Sequence, residues 1–370
     1  MKKILLFISC FLSVFSIKAQ EKVNFSKTFQ QQNQGKYKIE INELKELVHI
    51  MIAITKTGKE NDDMIQQKGK YYQDVMAYFK PYENEPIIQT FDSMVESSIY
   101  NYIFLTGNSI TYNFIGNKLV KDKFFEFTAN KVADVEIKIN PISTYKRQIE
   151  EFAKKSKFRE FYLKQSDYYN QIKLEYEKKA NLGKQWRWLE KSFNSKINSY
   201  TIYCSPLING LNYTGEFENN HFKLAYMVLP PLDNYPNLSE FKNELLNTRV
   251  MFTEIDHNYV NPPSYINQNT INEKFKDRNF WVNEKVNGIS AYPSPIKVFN
   301  EYMTFGIFLL YCKEIYGEDK LQQTTDDIVA LMAERGFPKM KEFATKLFNV
   351  SNENKNQKID YYYPKFLQLF

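Results

Sequence analysis

Residues that do chemistry easily are scarce in this chain: 3 His and 3 Cys in 370 residues. Cys10 falls in the apolar amino-terminal run, which leaves Cys204 and Cys312. At most one disulfide is therefore available, and two separate buried thiols are the plainer reading. Glycine and proline are also few, 12 and 13, against 43% hydrophobic residues, which excludes disorder, a collagen-like chain and a repeat array. No apolar run reaches the roughly 20 residues that span a bilayer. The run Phe305–Cys312 stops at Lys313 and Glu314.

Charge of one sign is missing as well. Lys2 and Lys3, the apolar stretch Ile4–Phe15 and the small residue Ala19 before Gln20 read as a secretory signal peptide over residues 1–19. Cleavage near Ala19 removes Lys2, Lys3 and Lys18 and lowers the formal charge from +6 to +3. Such a balance gives no electrostatic case for nucleic acid as a partner. The mature protein is expected to be secreted or periplasmic, without stable membrane insertion.

What is abundant is aromatic: 27 Tyr and 30 Phe, which predicts an aromatic-rich core. The pattern along the chain predicts an α+β, mainly helical fold. Tyr37–Ile41 alternates like a strand, and Asn42 is a good cap for a helix from Glu43 to about Thr55, closed by Gly58. Residues 110–139 read as strands or a hairpin, and residues 142–193 as charged helix with aromatic knobs. Strands are expected at Tyr200–Ser205 and Phe222–Leu229, joined by a polar loop containing Gly210 and Gly215. The expected organisation is a helical region with short strands over residues 20–140, followed by a second region over 141–370.

The informative segments lie in that second region. Asn237-Leu238-Ser239-Glu240 has the form of a capping box, opening a helix over about 238–261 that Asn261-Pro262-Pro263 should stop. Within it Thr253, Glu254 and His257 share a face. Zinc peptidases set two His four apart on one helical turn, with a Glu after the first as general base. Here Thr253 stands where the first His would be. The short pattern Glu-x-x-His is itself uninformative, because His49, His221 and His257 all have a Glu three residues before them: Glu46, Glu218 and Glu254. Context singles out the third copy. A second helix, about 295–316, starts at Ser294-Pro295 and ends at Gly317, and it carries Glu301 where a Glu-ligand zinc enzyme would put a further ligand. The plainer reading of Glu301 is a carboxylate favoured by the helix dipole.

Phe252-Thr253-Glu254-Ile255-Asp256-His257-Asn258-Tyr259-Val260-Asn261-Pro262, followed by Val298-Phe299-Asn300-Glu301-Tyr302-Met303-Thr304, resembles an uncharacterised family of secreted bacterial proteins with a domain of unknown function. Its members look like zinc metallopeptidases of the thermolysin-like, Glu-ligand (gluzincin) class. Phe158-Arg159-Glu160-Phe161-Tyr162 and Tyr168-Tyr169 add to the resemblance, which extends over most of the mature chain. It implies a zincin-like catalytic half with a small antiparallel sheet, zinc as cofactor and a peptide or protein substrate. Glu254 would be the general base, and His257 and Glu301 metal ligands. Thr253 is the position of the missing ligand, for which His221 is a candidate substitute. Two functions follow as expectations. One is a hydrolase cleaving peptide bonds with metal-activated water. The other is a catalytically impaired homologue, a possible pseudoenzyme, that binds peptides or glycans outside the cytoplasm. A two-metal carboxylate site using Glu46 and His49 is a more distant alternative.

Overall fold

The computed structural model describes residues 23–132, 135–233, 237–286 and 288–370. The expected signal segment, residues 1–19, lies outside the described residues. Helices predominate and the strands form small sheets, so the fold is α+β and mainly helical. Among the described residues no helix is long and apolar enough to cross a membrane. Two compact units divide the chain. The first runs up to Lys178 and adds Ile197–Asp233; the second takes Lys179–Lys196 and Asn234–Phe370. This division does not coincide with the expected one near residue 140.

The first unit is organised by its strands: β1 (Lys36–Glu40), β2 (Tyr112–Ile115), β3 (Lys118–Lys121), β4 (Lys131–Val132), β5 (Val135–Glu136), β6 (Ser199–Cys204), β7 (Tyr213–Asn219) and β8 (Phe222–Leu229). Four make one sheet in the order β1-β6-β8-β7. β1, β6 and β8 run parallel, with Tyr37 opposite Tyr200 and Tyr200 opposite Ala225, and β7 runs antiparallel to β8. β2 with β3 and β4 with β5 form two short hairpins. Every residue of β6 is buried, as a strand covered on both faces requires.

Two sequence expectations are corrected here. The sheet that contains Tyr200–Ser205 and Phe222–Leu229 is mixed rather than antiparallel, and it belongs to the first unit, not to the one carrying the Thr253–His257 segment. Both strands are also interior to the sheet, since β1 and β7 are its edges. Neither therefore offers a free edge along which an extended peptide could pair. The supposed loop between them contains β7. Gly215, which made the segment look like a loop, is needed because the Tyr226 side chain crosses it: a Cβ there would meet the Tyr226 hydroxyl at 2.7 Å and ring carbons at 2.8 Å.

The first helix of interest, Glu43–Ala53, is capped as expected, with the Asn42 side chain accepting from Lys45 N. It ends at Ala53, before Gly58. Thr55 then caps a further short helix, Lys56–Glu60, by accepting from Gly58 N at 2.9 Å. A Cβ on Gly58 would sit 2.0 Å from the Ile52 carbonyl oxygen, closer than any real contact. Gly58→Ala is therefore expected to destabilise the first unit by about 1–3 kcal/mol, the usual range for overpacking. Urea unfolding followed by circular dichroism measures it, and an unchanged midpoint would show that the backbone yields freely there.

The second unit is helical. The motif helix (Glu240–Ile255), the proline helix (His257–Ile266) and the long helix (Pro295–Tyr316) pack against each other around an aromatic core of Phe252, Tyr259, Phe299, Tyr302 and Phe308. Ser239, not Asn237, caps the motif helix, accepting from Lys242 N. The helix ends at Ile255, earlier than expected, and Pro262 and Pro263 lie inside the next helix instead of stopping this one. The long helix has the expected bounds, with Pro295 in its first turn and Gly317 at φ 85° as its cap.

Candidate functional site

Asp256 is the joint between the motif and proline helices, and its carbonyl accepts from Tyr259 N and Val260 N, both at 2.8 Å. Glu254 stands just before the joint and His257 just after it. The long helix crosses this corner and brings Glu301 close enough for its charge to act on Glu254, Asp256 and His257. Thr304, one turn further on, places Oγ1 3.5 Å from His257 Nδ1. The three residues singled out from sequence, Glu254, His257 and Glu301, thus share one corner of the second unit. They share it as a buried group: Glu254 and Glu301 are each 6% exposed, and only His257 is half-buried.

Arg335, which sequence reasoning did not single out, changes the meaning of this corner. It follows the helix Glu318–Glu334, and its Nη2 lies 2.6 Å from Glu301 Oε1. The same nitrogen donates to the Tyr292 hydroxyl at 3.1 Å. The guanidinium lies 4.9 Å from the centre of the Phe305 ring, within cation–π range. The only sequence signal was Arg-Gly at a helix end, which is also the commonest way to finish a helix.

The electrostatics follow from burial around one cation. Desolvation first, and then the charge of Glu301, push the Glu254 carboxyl up to about 8 against the opposing pull of Arg335. Asp256, fully buried, is held well above the usual carboxylate range by desolvation and by the charges of Glu301 and Glu254. The His257 ring is pushed down to about 4 by its surroundings, against the pull of Glu301. The ion pair of the corner is Glu301 with Arg335, while burial favours the neutral forms of Glu254, Asp256 and His257. A general base needs the opposite state of Glu254.

Zinc does not fit these residues. A catalytic site takes three protein ligands and leaves a position open. Thr253, in the place of the first, donates its hydroxyl to the carbonyls of Arg249 at 3.0 Å and Val250 at 3.3 Å, inside its own helix. Glu301 is already held by a guanidinium. His221 lies in the first unit, where Asn220 and His221, at φ 52° and 59°, form the exposed turn between β7 and β8. Among the described residues no group of three or more His, Cys, Asp or Glu is arranged to hold a metal ion.

The other Glu-x-x-His copy is tied down within the first unit. His49 Nδ1 donates to the Lys45 carbonyl at 2.9 Å and Nε2 faces the Tyr102 hydroxyl at 3.2 Å. Glu46 accepts from the Tyr71 hydroxyl at 2.7 Å, and Lys45 Nζ donates to the Thr106 carbonyl at 2.7 Å. These bonds engage Lys45, His49 and one oxygen of Glu46, while Glu46 Oε2 has no hydrogen-bond partner among the described residues. Cys204 and Cys312 are separate buried thiols. In comparisons with family models, curated proteins and solved structures, nothing matches this chain.

Proposed function

We propose that this is a secreted binding protein with a zincin-like second unit that works without metal, its Arg335 supplying the positive charge that zinc would give a hydrolase. The single observation that carries the reading is the 2.6 Å ion pair between Arg335 and Glu301. A guanidinium satisfies a buried carboxylate as a metal would, but it has no open coordination position and cannot ionise a bound water. The hydroxyl of Thr253, spent on its own helix, and the neutral Glu254 support the same reading. The zinc-peptidase reading stands second, favoured by the shared corner of Glu254, His257 and Glu301.

Calorimetric zinc titration of the full mature chain separates the two. The wild type should show only weak, non-stoichiometric binding, and His257→Ala should leave it unchanged. One tightly bound zinc per chain, lost in His257→Ala, would overturn the proposal and return the protein to the metallopeptidases. Metal analysis of the protein as purified gives an independent reading of the same question.

A further inference from the structure

The amino-terminal arm of the first unit, residues 23–34, is held by segments far along the chain. Val23 bridges Phe125, and Asn24 N donates to the Phe124 carbonyl at 2.8 Å. Phe25 N donates to Asn219 Oδ1 at 3.0 Å across 194 residues of sequence, and Asn220 Nδ2 donates to the Phe25 carbonyl at 3.3 Å. The short helix Lys27–Asn33, capped by Ser26, brings the Phe29 ring over that of Phe25, stacked at 4.5 Å between centres. The pair fills a groove made by Phe124, Phe125 and Phe222 and backed by Phe217. Phe29 lies 4.8 Å from Phe124 and 5.7 Å from Phe222, Phe25 lies 5.6 Å from Phe222, and both arm rings are buried.

The link from the arm to the next element is short and exposed. Gln34 and Gly35 lead into β1, an edge strand of the sheet. Gly35 stands at φ 70°, with open space where a Cβ would be, and its N–H closes the link by donating to the Asn198 carbonyl at 2.8 Å. A free arm would leave its own two rings and those of the groove in water, which opposes opening. Another copy carries the identical arm, however, so an exchanged arm makes every one of these contacts again. The order of synthesis favours such an exchange. The arm is made first, and its groove is complete only once Phe222 has been added, so chains folding side by side can take each other's arm.

We propose that this groove is a docking surface for a second copy of the chain, two copies filling it reciprocally by exchanging their arms about Gly35. The contact is made twice, once in each direction, so it closes as a two-fold dimer instead of propagating. The closed monomer and the exchanged dimer share the arm's contacts and differ at the hinge and in the entropy of bringing two chains together. Protein concentration and the conformation of the hinge therefore decide between them.

The test refolds the full mature chain from urea over a range of protein concentrations and separates the products by size-exclusion chromatography with light scattering. A dimer fraction that grows with concentration is expected. Asn24→Cys combined with Lys123→Cys then shows where each arm sits, since both positions are exposed and the native thiols Cys204 and Cys312 are buried. A short bis-maleimide should join the two sites within one chain in the monomer and between chains in the dimer, as read on a denaturing gel. Gly35→Pro removes the left-handed turn and the N–H given to Asn198, both used by the closed arm, and should raise the dimerisation constant by about tenfold or more. Should that variant fail to fold, the cross-linking pattern of the dimer decides alone. Monomer at every concentration would overturn the proposal. So would a dimer whose arms cross-link within their own chains, or unchanged dimerisation in folded Gly35→Pro.

Discussion

Arg335→Met should cost the second unit about 3–5 kcal/mol, the usual penalty for leaving one member of a buried ion pair without its partner. Glu301 is 6% exposed, and losing the guanidinium strands its carboxylate beside Glu254 and Asp256. The cation–π contact of Arg335 with Phe305 is lost too, but methionine fills much of that volume and offers a sulfur–aromatic contact in its place. Glu301→Gln combined with Arg335→Met should recover most of the loss, because the amide needs no counter-charge. The measurement is direct, since all three tryptophans, Trp186, Trp188 and Trp281, lie in the second unit and their fluorescence reports its unfolding in urea. A cost below about 1 kcal/mol would class the pair with screened surface pairs and remove the main support for arginine in place of zinc.

The second large effect is in pH. Glu254 titrates near 4.5 in the unfolded chain and near 8 in the folded one. A raised folded value means stability that is complete below 4.5 and is lost as pH rises through about 8, since the unfolded state gives up its proton first. Asp256 acts in the same sense. His257, lowered from 6.5 to about 4, acts oppositely: its contribution is lost as pH falls from 6.5 towards 4. Between 4.5 and 6.5 the slopes of Glu254 and His257 oppose one another, and above 6.5 only the acids remain. From pH 6.5 to 8 Glu254 alone should therefore remove about 2 kcal/mol, at roughly 1.4 kcal/mol per pH unit. For a unit of this size that is a fall in Tm of about 4–8 °C. Glu254→Gln, which imitates the protonated acid, should flatten the slope. Parallel pH profiles for wild type and Glu254→Gln would show that Glu254 is ionised throughout.

The parts of this structure that could be read along the sequence are those set by neighbouring residues. Asn42 marked one helix start, and Ser294, Pro295 and Gly317 bounded the long helix, because caps act within one turn. β6 and β8 were visible as apolar runs. β7 was not, because Gly215 serves the Tyr226 ring from the next strand and no local pattern encodes that. The parallel pairing of Tyr37 with Tyr200 joins segments far apart in sequence, so it too left no local trace. The same divide runs through the site. Periodicity put Glu254 and His257 on one face and Glu301 on a helix that could cross them. It could not supply Arg335, whose partner is 34 residues away, nor the end of the motif helix at Ile255. Those two facts decide between a metal centre and a carboxyl corner closed by arginine.

The route of the chain has a practical consequence. The helix Leu182–Ser192 comes between two portions of the first unit in sequence but belongs to the second, where Trp188 packs 5.9 Å from Phe252 and 5.5 Å from Tyr311, centre to centre. No single cut releases either unit whole. A fragment starting after Asp233 lacks the wall that Trp188 makes behind the motif helix, and one ending at Lys178 lacks β6, β7 and β8. Limited proteolysis should accordingly yield nicked protein whose pieces stay associated under native conditions and separate only in denaturant. Domain dissection by expression will need the excised helix supplied back, for instance joined by a short linker ahead of residue 237.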